Sequence, residues 1–143
     1  MKPVRGPMTT IQKTKEFVVT LENKPGKLAE FTRAVATVNV NILGIDVAPN
    51  GGQGSIRLLV NDPAKFEQTL QAKGLRFQAF DVLSVRLPNR PGSLAEISER
   101  LAKGGVDIES LYGYVGHDGS AGDTDFVVKV HDVASAEKLL GAL

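Results

Sequence analysis

The sequence predicts an α+β fold built from two βαββαβ units, each with an antiparallel sheet and helices on one face. Two observations predict it. The chain repeats itself, because an offset of 66 positions makes eleven of the 24 residue pairs between Val19–Ile42 and Val85–Ile108 identical. Within each copy, the apolar spacing changes from a period of two to a helical period at an Asn-x-Pro-Gly turn. A repeat of this size indicates one supersecondary unit used twice.

Each copy begins with a strand, a turn and a helix. Residues 17–22 and 83–87 place apolar side chains at every second position, which is typical of a half-buried strand. The turns Asn23–Gly26 and Asn89–Gly92 follow, and their Pro-Gly pairs favour tight turns. Apolar residues at helical spacing come next. In the second copy, Gly104 and the glycine after it are expected to end the helix.

The rest of each copy predicts two more strands, a second helix and, in the first copy, a last strand. The predicted strands are 40–47 and 106–115, then 56–60 and 126–130, then 76–80. Asp62 and Asp132 are predicted to cap the second helices, with Pro63 at the first helical position. This order gives two ferredoxin-like units.

The prediction divides the chain into an N-terminal tail at 1–15, a first unit at 16–81 and a second unit at 82–143. The second unit ends with its last helix, so it lacks a C-terminal strand of its own. The segment Thr9–Lys15, or a strand from another chain, could fill this sheet edge, which would otherwise be free to pair. Residues 1–8 contain two prolines and a glycine and are expected to be flexible.

The composition excludes several classes of function. Seventeen basic and sixteen acidic residues give a net charge of +1, which offers no electrostatic reason to bind nucleic acid or a membrane surface. The absence of cysteine excludes disulfides, thiolate metal sites and cysteine nucleophiles. No apolar run is long enough for a transmembrane helix, and no secretory signal is visible. We therefore expect a cytoplasmic protein that uses no metal or organic cofactor.

At the two turns the sequence resembles the ACT domain, a regulatory module that binds small molecules. The first copy reads NKPGKLA and then VNI, and the second reads NRPGSLA and then VDI. The resemblance covers residues 16–143. The chain is most similar to standalone tandem ACT proteins, which have no catalytic domain. It implies an amino acid as ligand, bound where two ACT units pair, beside the loop between the first strand and the first helix. It also implies a regulatory function and a possible regulated enzyme in trans. Because a unit of about 65 residues is marginally stable alone, we expect the two halves to pack on each other and the chain to form a homodimer.

The chemistry of an amino acid agrees with a site at these turns. The backbone N–H groups of Gly26, Lys27 and Leu28 are predicted to lie at a helix N-terminus, where they attract a carboxylate. The amide oxygens of Asn23 and Asn41 can accept hydrogen bonds from an ammonium group. Asp107 stands where the first copy has Asn41, so the second copy departs from the family pattern. The residues predicted to contact a ligand are Asn23, Lys24, Pro25, Gly26, Lys27, Leu28 and Asn41 in the first copy, and Asn89, Arg90, Pro91, Gly92, Ser93, Leu94 and Asp107 in the second.

Other interpretations remain open from the sequence. The turn asparagines can serve only as caps, and the turn glycines can serve only the backbone. A protein–protein interaction module that binds no small ligand is the main alternative function. A hydrolase using Arg90 and Asn89 would lack a glycine-rich phosphate cradle, and RNA binding would need more exposed aromatic residues. His117, Asp118 and His131 are too scattered to predict a metal site.

Overall fold

The computed structural model describes residues 10–114 and 123–141, so the predicted flexible tail at 1–8 lies outside the described residues. The chain divides into two compact units. Lys15–Phe80 forms the first unit, and the described residues from Asp81 onward form the second unit together with residues 10–14. Each unit combines helices with antiparallel strand pairs. The predicted α+β fold is confirmed.

The helices and strands follow the predicted order. They are β1 (Thr10–Glu22), α1 (Lys27–Thr37), β2 (Ile42–Asn50), β3 (Gln53–Val60), α2 (Pro63–Ala72), β4 (Arg76–Pro88), α3 (Ser93–Lys103), β5 (Ile108–Tyr114), β6 (Asp123–Val130) and α4 (Val133–Gly141).

In the first unit the strands lie in the order β2-β3-β1-β4. Phe17 lies opposite Leu58 and Val19 lies opposite Ile56, so the alternating apolar side chains of β1 and β3 share the face that the helices cover. Phe66 of α2 packs on Phe17 edge to face, with ring centroids 4.9 Å apart, and also contacts Phe31 of α1. This core is therefore centred on three aromatic rings.

In the second unit the strands lie in the order β1-β4-β6-β5. Its core is aliphatic at the matching positions, since Leu83, Ile97 and Ala136 stand where the first unit has three phenylalanines. Strand β1 is longer than the predicted strand and begins at Thr10. Its first residues belong to this unit, and Ile11 packs against the second core. The edge of the second sheet beside β4 is thereby covered by β1.

The second strand of each unit begins later than predicted, at Ile42 and Ile108. The Val40 N–H donates to the Val35 carbonyl at 3.2 Å, which ties residue 40 to the end of α1. Val106 is held in the same way at the end of α3. Both strands also shift register within their first residues, so the two units share an irregularity at the same place.

The predicted helix caps are confirmed. The Asp62 carboxylate accepts a hydrogen bond from the Lys65 N–H at 3.1 Å, and Pro63 occupies the first helical turn. Asp132 caps α4 in the same manner through the Ser135 N–H. Among the described residues, no helix is long and apolar enough to cross a membrane.

Candidate functional site

The two predicted turns have the same backbone. Gly26 (φ 87°, ψ −16°) and Gly92 (φ 92°, ψ −15°) both adopt the left-handed conformation directly before a helix. Each turn has proline before this glycine and is closed by a hydrogen bond, from the Lys27 N–H to the Lys24 carbonyl at 3.2 Å and from the Ser93 N–H to the Arg90 carbonyl at 3.3 Å. This is a type II turn, which requires a positive φ at its third residue and so favours glycine.

The turn geometry corrects one part of the predicted carboxylate site. The Lys27 N–H was expected to point toward a ligand, but it is used to close the turn. The same holds for the Ser93 N–H in the second unit. The side chains before Gly26 are exposed, and so are Pro91 and Gly92. A ligand can therefore reach both turns, although with fewer backbone donors than the sequence suggested.

The side chains around the two turns differ. In the first unit, Glu22 forms ion pairs with Lys24 at 3.2 Å and Lys27 at 3.8 Å. In the second unit, the position of Glu22 is Pro88, and the position of Lys27 is Ser93. Ser93 is buried, and its hydroxyl donates to the Pro88 carbonyl at 2.7 Å. This bond fastens the second turn to the end of β4, whereas the first turn carries exposed charged side chains.

The remaining turn residues are accessible. Leu28 and Leu94 keep 41% and 37% of their surfaces exposed, which is high for leucine in the first turn of a helix. Asn23 and Pro25 are exposed, and Asn89 is half-buried. Arg90 is exposed and, within the described part of the chain, forms no ion pair. The second turn thus presents a cation without a neighbouring carboxylate.

Asn41 and Asp107 follow α1 and α3, so they lie at the opposite end of these helices from the turns. The Asn41 N–H donates to Asn61 Oδ1 at 2.8 Å, and the Asn61 N–H donates back to the Asn41 carbonyl at 3.0 Å. In the second unit, the Asp107 N–H donates to Nδ1 of His131 at 3.3 Å. These bonds hold the backbone of both strand starts, and both side chains remain exposed.

Sequence reasoning missed Asn61 as a partner of Asn41. A signal was available, because the offset of 70 positions that aligns the third strands places Asn61 on His131. Each is a polar residue directly before the aspartate that caps the next helix. Two side chains that can accept a hydrogen bond at matched strand ends indicate a shared backbone partner.

In each unit, the first helix separates the turn from the start of the second strand, which are the two parts of the predicted site. The turn Asn23–Gly26 precedes α1, whereas Asn41 follows it. An α-helix of 11 residues is about 16 Å long, at a rise of about 1.5 Å per residue. The same separation holds between Gly92 and Asp107 across α3. Within one unit, therefore, the turn and the start of the second strand do not form one site.

The second strand of the first unit has an apolar edge that sequence reasoning did not single out. Leu43, Ile45 and Val47 are 63%, 43% and 50% exposed, and β2 is an outer strand whose neighbour in the sheet is β3. In β5 of the second unit, the matching positions are Glu109, Leu111 and Gly113.

The edge of β5 is closed to apolar contacts. Leu111 packs against the second core. A Cβ atom at Gly113 would lie 2.3 Å from the Phe126 ring, so only glycine fits under that ring. Glu109 is exposed and charged. The exposed apolar edge is therefore a property of the first unit.

The described residues contain no group of three or more histidines and carboxylates that could hold a metal ion. His117 and Asp118, which the sequence analysis considered, lie outside the described residues.

Comparisons with known proteins agree with this fold. A model of the ACT domain family matches residues 82–143. A comparison with curated protein sequences gives no match. Among solved structures, a protein from Bacteroides thetaiotaomicron is 28% identical with a TM-score of 0.84, over 92% of this chain and 89% of that one.

Two more distant structures share the fold. The regulatory subunit of aspartate kinase from Thermus thermophilus is 15% identical with a TM-score of 0.66, over 94% of this chain and 93% of that one. The corresponding subunit from Thermus flavus is 12% identical with a TM-score of 0.64, over 94% and 95% of the two chains.

Proposed function

We propose that this chain, whose residues 82–143 are an ACT domain, is a non-catalytic regulatory protein that binds an amino acid between two copies of its first unit. In this proposal the copies pair along β2, and ligand binding shifts their assembly or the activity of a partner enzyme. The observation that carries it is the separation of Asn23 and Asn41 by the full length of α1.

This separation supports a site shared between two chains. One amino acid cannot contact side chains at both ends of an eleven-residue helix. A two-fold axis across β2 would reverse the second copy, so that its Asn41 would approach the turn of the first copy. The amide oxygen of Asn41 would then accept from the ammonium group, and Asn23 with Lys24 would donate to the carboxylate.

The exposed edge of β2 supports the same arrangement. Leu43, Ile45 and Val47 present apolar surface to water along an outer strand. An outer strand with exposed apolar side chains is a template for pairing with another strand. Burying these side chains would contribute about 25 cal/mol for each Å² removed from water, and the free backbone groups of β2 would gain hydrogen bonds.

A site of this kind couples binding to assembly. Both walls exist together only in the paired form, so a ligand would stabilise that form by mass action. The likeness of the fold to regulatory subunits of aspartate kinase supports a role exerted on an enzyme of another chain.

Complementation between two single variants tests the shared site. The twenty amino acids are first screened by thermal shift, and the one that raises Tm most is the probe. Asn23→Ala and Asn41→Ala should each lower the affinity for the probe about tenfold or more, because each removes a hydrogen bond to a charged group. The mixed dimer, isolated with two different affinity tags, carries both substitutions in one site and neither in the other. We expect it to recover tight binding at one ligand per dimer.

The outcomes of this test are distinct. Gln68→Ala on the exposed surface of α2 is the control and should bind like the unchanged protein. A mixed dimer that stays weak would contradict a site shared between chains. If no amino acid shifts Tm while the protein still dimerises, the chain is an interaction module without a small ligand.

A further inference from the structure

The first unit contains a cavity that the proposed interface does not use. It has a volume of about 680 Å³ and lies between the end of β1, one face of α1 and the turn from α2 to β4. Small-molecule sites typically measure about 300–1,000 Å³. Of the residues predicted to bind a ligand, only Lys27 lines it. Leu43, Ile45 and Val47 of β2 do not contribute to it.

The floor of the cavity is apolar and part of the core surface. Phe31, which is 5% exposed, belongs to the first core. Leu21 and Leu75 are partly buried and pack against the same core, and Ala34 completes this lining. The rings and methyl groups on this floor can bury the hydrocarbon part of a ligand.

The rim of the cavity is charged, and its cations outnumber its carboxylates. Lys27, Lys73 and Arg76 line it together with Glu22 and Glu30. Lys27 is already paired with Glu22 at 3.8 Å. Within the described part of the chain, Lys73 and Arg76 form no ion pair. The cavity therefore offers two cations against one carboxylate that is not in an ion pair.

Three carbonyl groups at the end of α2 already accept backbone hydrogen bonds. The carbonyl of Thr69 accepts from the Lys73 N–H, that of Leu70 from the Leu75 N–H and that of Gln71 from the Gly74 N–H. Lys73 is the C-terminal cap residue, and Arg76 is the first residue of β4. Both side chains are thus carried by a turn whose backbone is fixed.

The second unit lacks this chemistry at the matching positions. Glu22, Lys27 and Ala34 correspond to Pro88, Ser93 and Arg100. The Ser93 hydroxyl is occupied by the Pro88 carbonyl at 2.7 Å. Arg100 and Lys103 line a separate cavity of about 430 Å³ in the second unit, where two carboxylates, Glu96 and Glu99, stand beside the two cations.

From the cavity, its apolar floor and its unpaired cations, we propose that the first unit binds a small organic carboxylate with an apolar body inside this cavity. Arg76 and Lys73 hold the carboxylate, and Arg76 can do so through two parallel hydrogen bonds. The apolar body lies on Phe31 and Leu75. This site is separate from the one proposed between two copies and is complete within a single unit.

Three probes with the same branched body test this inference. Isocaproate carries only the carboxylate, isoamylamine only the ammonium, and leucine both. Titrations of the full chain are followed by amide NMR spectra. We expect isocaproate to move the signals of residues 27–34 and 72–76, and isoamylamine to leave them unchanged. Equal responses to both probes, or none to either, would overturn the proposal.

Variants that remove positive charge distinguish binding in the cavity from unspecific electrostatic attraction of the carboxylate. Lys73→Gln combined with Arg76→Gln should weaken isocaproate binding about tenfold or more, and dispersed spectra verify that the variant is folded. The control pair, Arg33→Gln with Lys138→Gln at exposed positions outside this cavity, should bind like the unchanged protein. Binding that survives the first pair, or is lost with the control pair, contradicts a site in this cavity.

The result is independent of the proposed amino-acid site. Asn23→Ala removes a carboxylate donor of the shared site and does not touch the cavity lining, so it should leave isocaproate binding unchanged. If isocaproate binding is lost in Asn23→Ala, the two sites are one and the cavity proposal is wrong. Failure of leucine to bind between two copies would leave the response to isocaproate in place.

Discussion

The two units share a turn but differ in what surrounds it. Gly26 and Gly92 have nearly equal backbone angles, because a type II turn requires them. Around the first turn lie the exposed charges of Lys24 and Lys27, whereas the second turn is fastened by Ser93. A backbone that both units need for folding therefore says little about ligand binding. The side chains around it decide which unit can bind.

The largest difference we expect concerns the two cores. Phe66→Ala places in the first unit the residue that the second unit has at this position, Ala136. Phe66 is fully buried and contacts both Phe17 and Phe31. Its removal should lower the free energy of unfolding by about 3–5 kcal/mol, measured by urea denaturation. A loss below about 1 kcal/mol would show that the two cores are equivalent there.

The next largest expected effect is on the association of two copies of the chain. Leu43→Glu gives β2 the charge that β5 carries at Glu109. A carboxylate buried at an apolar edge costs about 2–3 kcal/mol, so the dimer Kd should rise about 100-fold in sedimentation experiments. Glu109→Gln is the matched control and should leave Kd unchanged. If Leu43→Glu associates normally, β2 is not the edge where two copies pair.

Much of the fold could be predicted because its pattern is local. The alternation in β1 and β4, the helical spacing after each turn and the capping aspartates are all readable within a few residues. The beginning of β1 could not be read in this way. Residues 10–15 contain one apolar side chain, Ile11, and its partner core is formed by residues more than 70 positions away.

The candidate site was predicted less well than the fold. The positions of the two turns were readable, since Pro-Gly pairs favour tight turns, but the turn type was not predicted. The use of the Lys27 N–H inside the turn was missed because its partner is the backbone carbonyl of Lys24, which no residue type reveals. The burial of Ser93 was missed because its partner is a backbone carbonyl, which every residue has.

A smaller effect is expected from the fastening of the second turn. Ser93→Ala removes the hydrogen bond to the Pro88 carbonyl and should cost about 1 kcal/mol. Lys27→Ala, at the same position of the first turn, removes only an exposed ion pair and should cost about 0.5 kcal/mol or less. Chemical denaturation of both variants measures the difference. Equal losses would mean that the two turns are held equally firmly.

The smallest expected effect distinguishes the caps of α2 and α4. Asp132 accepts from the Ser135 hydroxyl at 2.7 Å as well as from the Ser135 N–H, whereas Asp62 has Lys65 at the matching position and accepts from its N–H. The hydroxyl, then the N–H, and to a lesser extent His131 lower the pKa of Asp132 below its ordinary value of 3.8. Ser135→Ala should move this pKa upward, as read from the carboxyl NMR signal.

The sign of the stability change follows from this shift. A carboxyl group whose pKa is lower in the folded chain stabilises it above the pKa of the unfolded chain, and this contribution is lost as the pH falls through the folded pKa. The unchanged protein should therefore exceed Ser135→Ala in stability near neutral pH, and the difference should shrink in strong acid. Ser98→Ala is the control, because its hydroxyl donates to the Leu94 carbonyl and touches no carboxylate. An Asp132 signal that titrates identically in Ser135→Ala and the unchanged protein would show that the hydroxyl does not set this pKa, and that the two caps differ only in sequence.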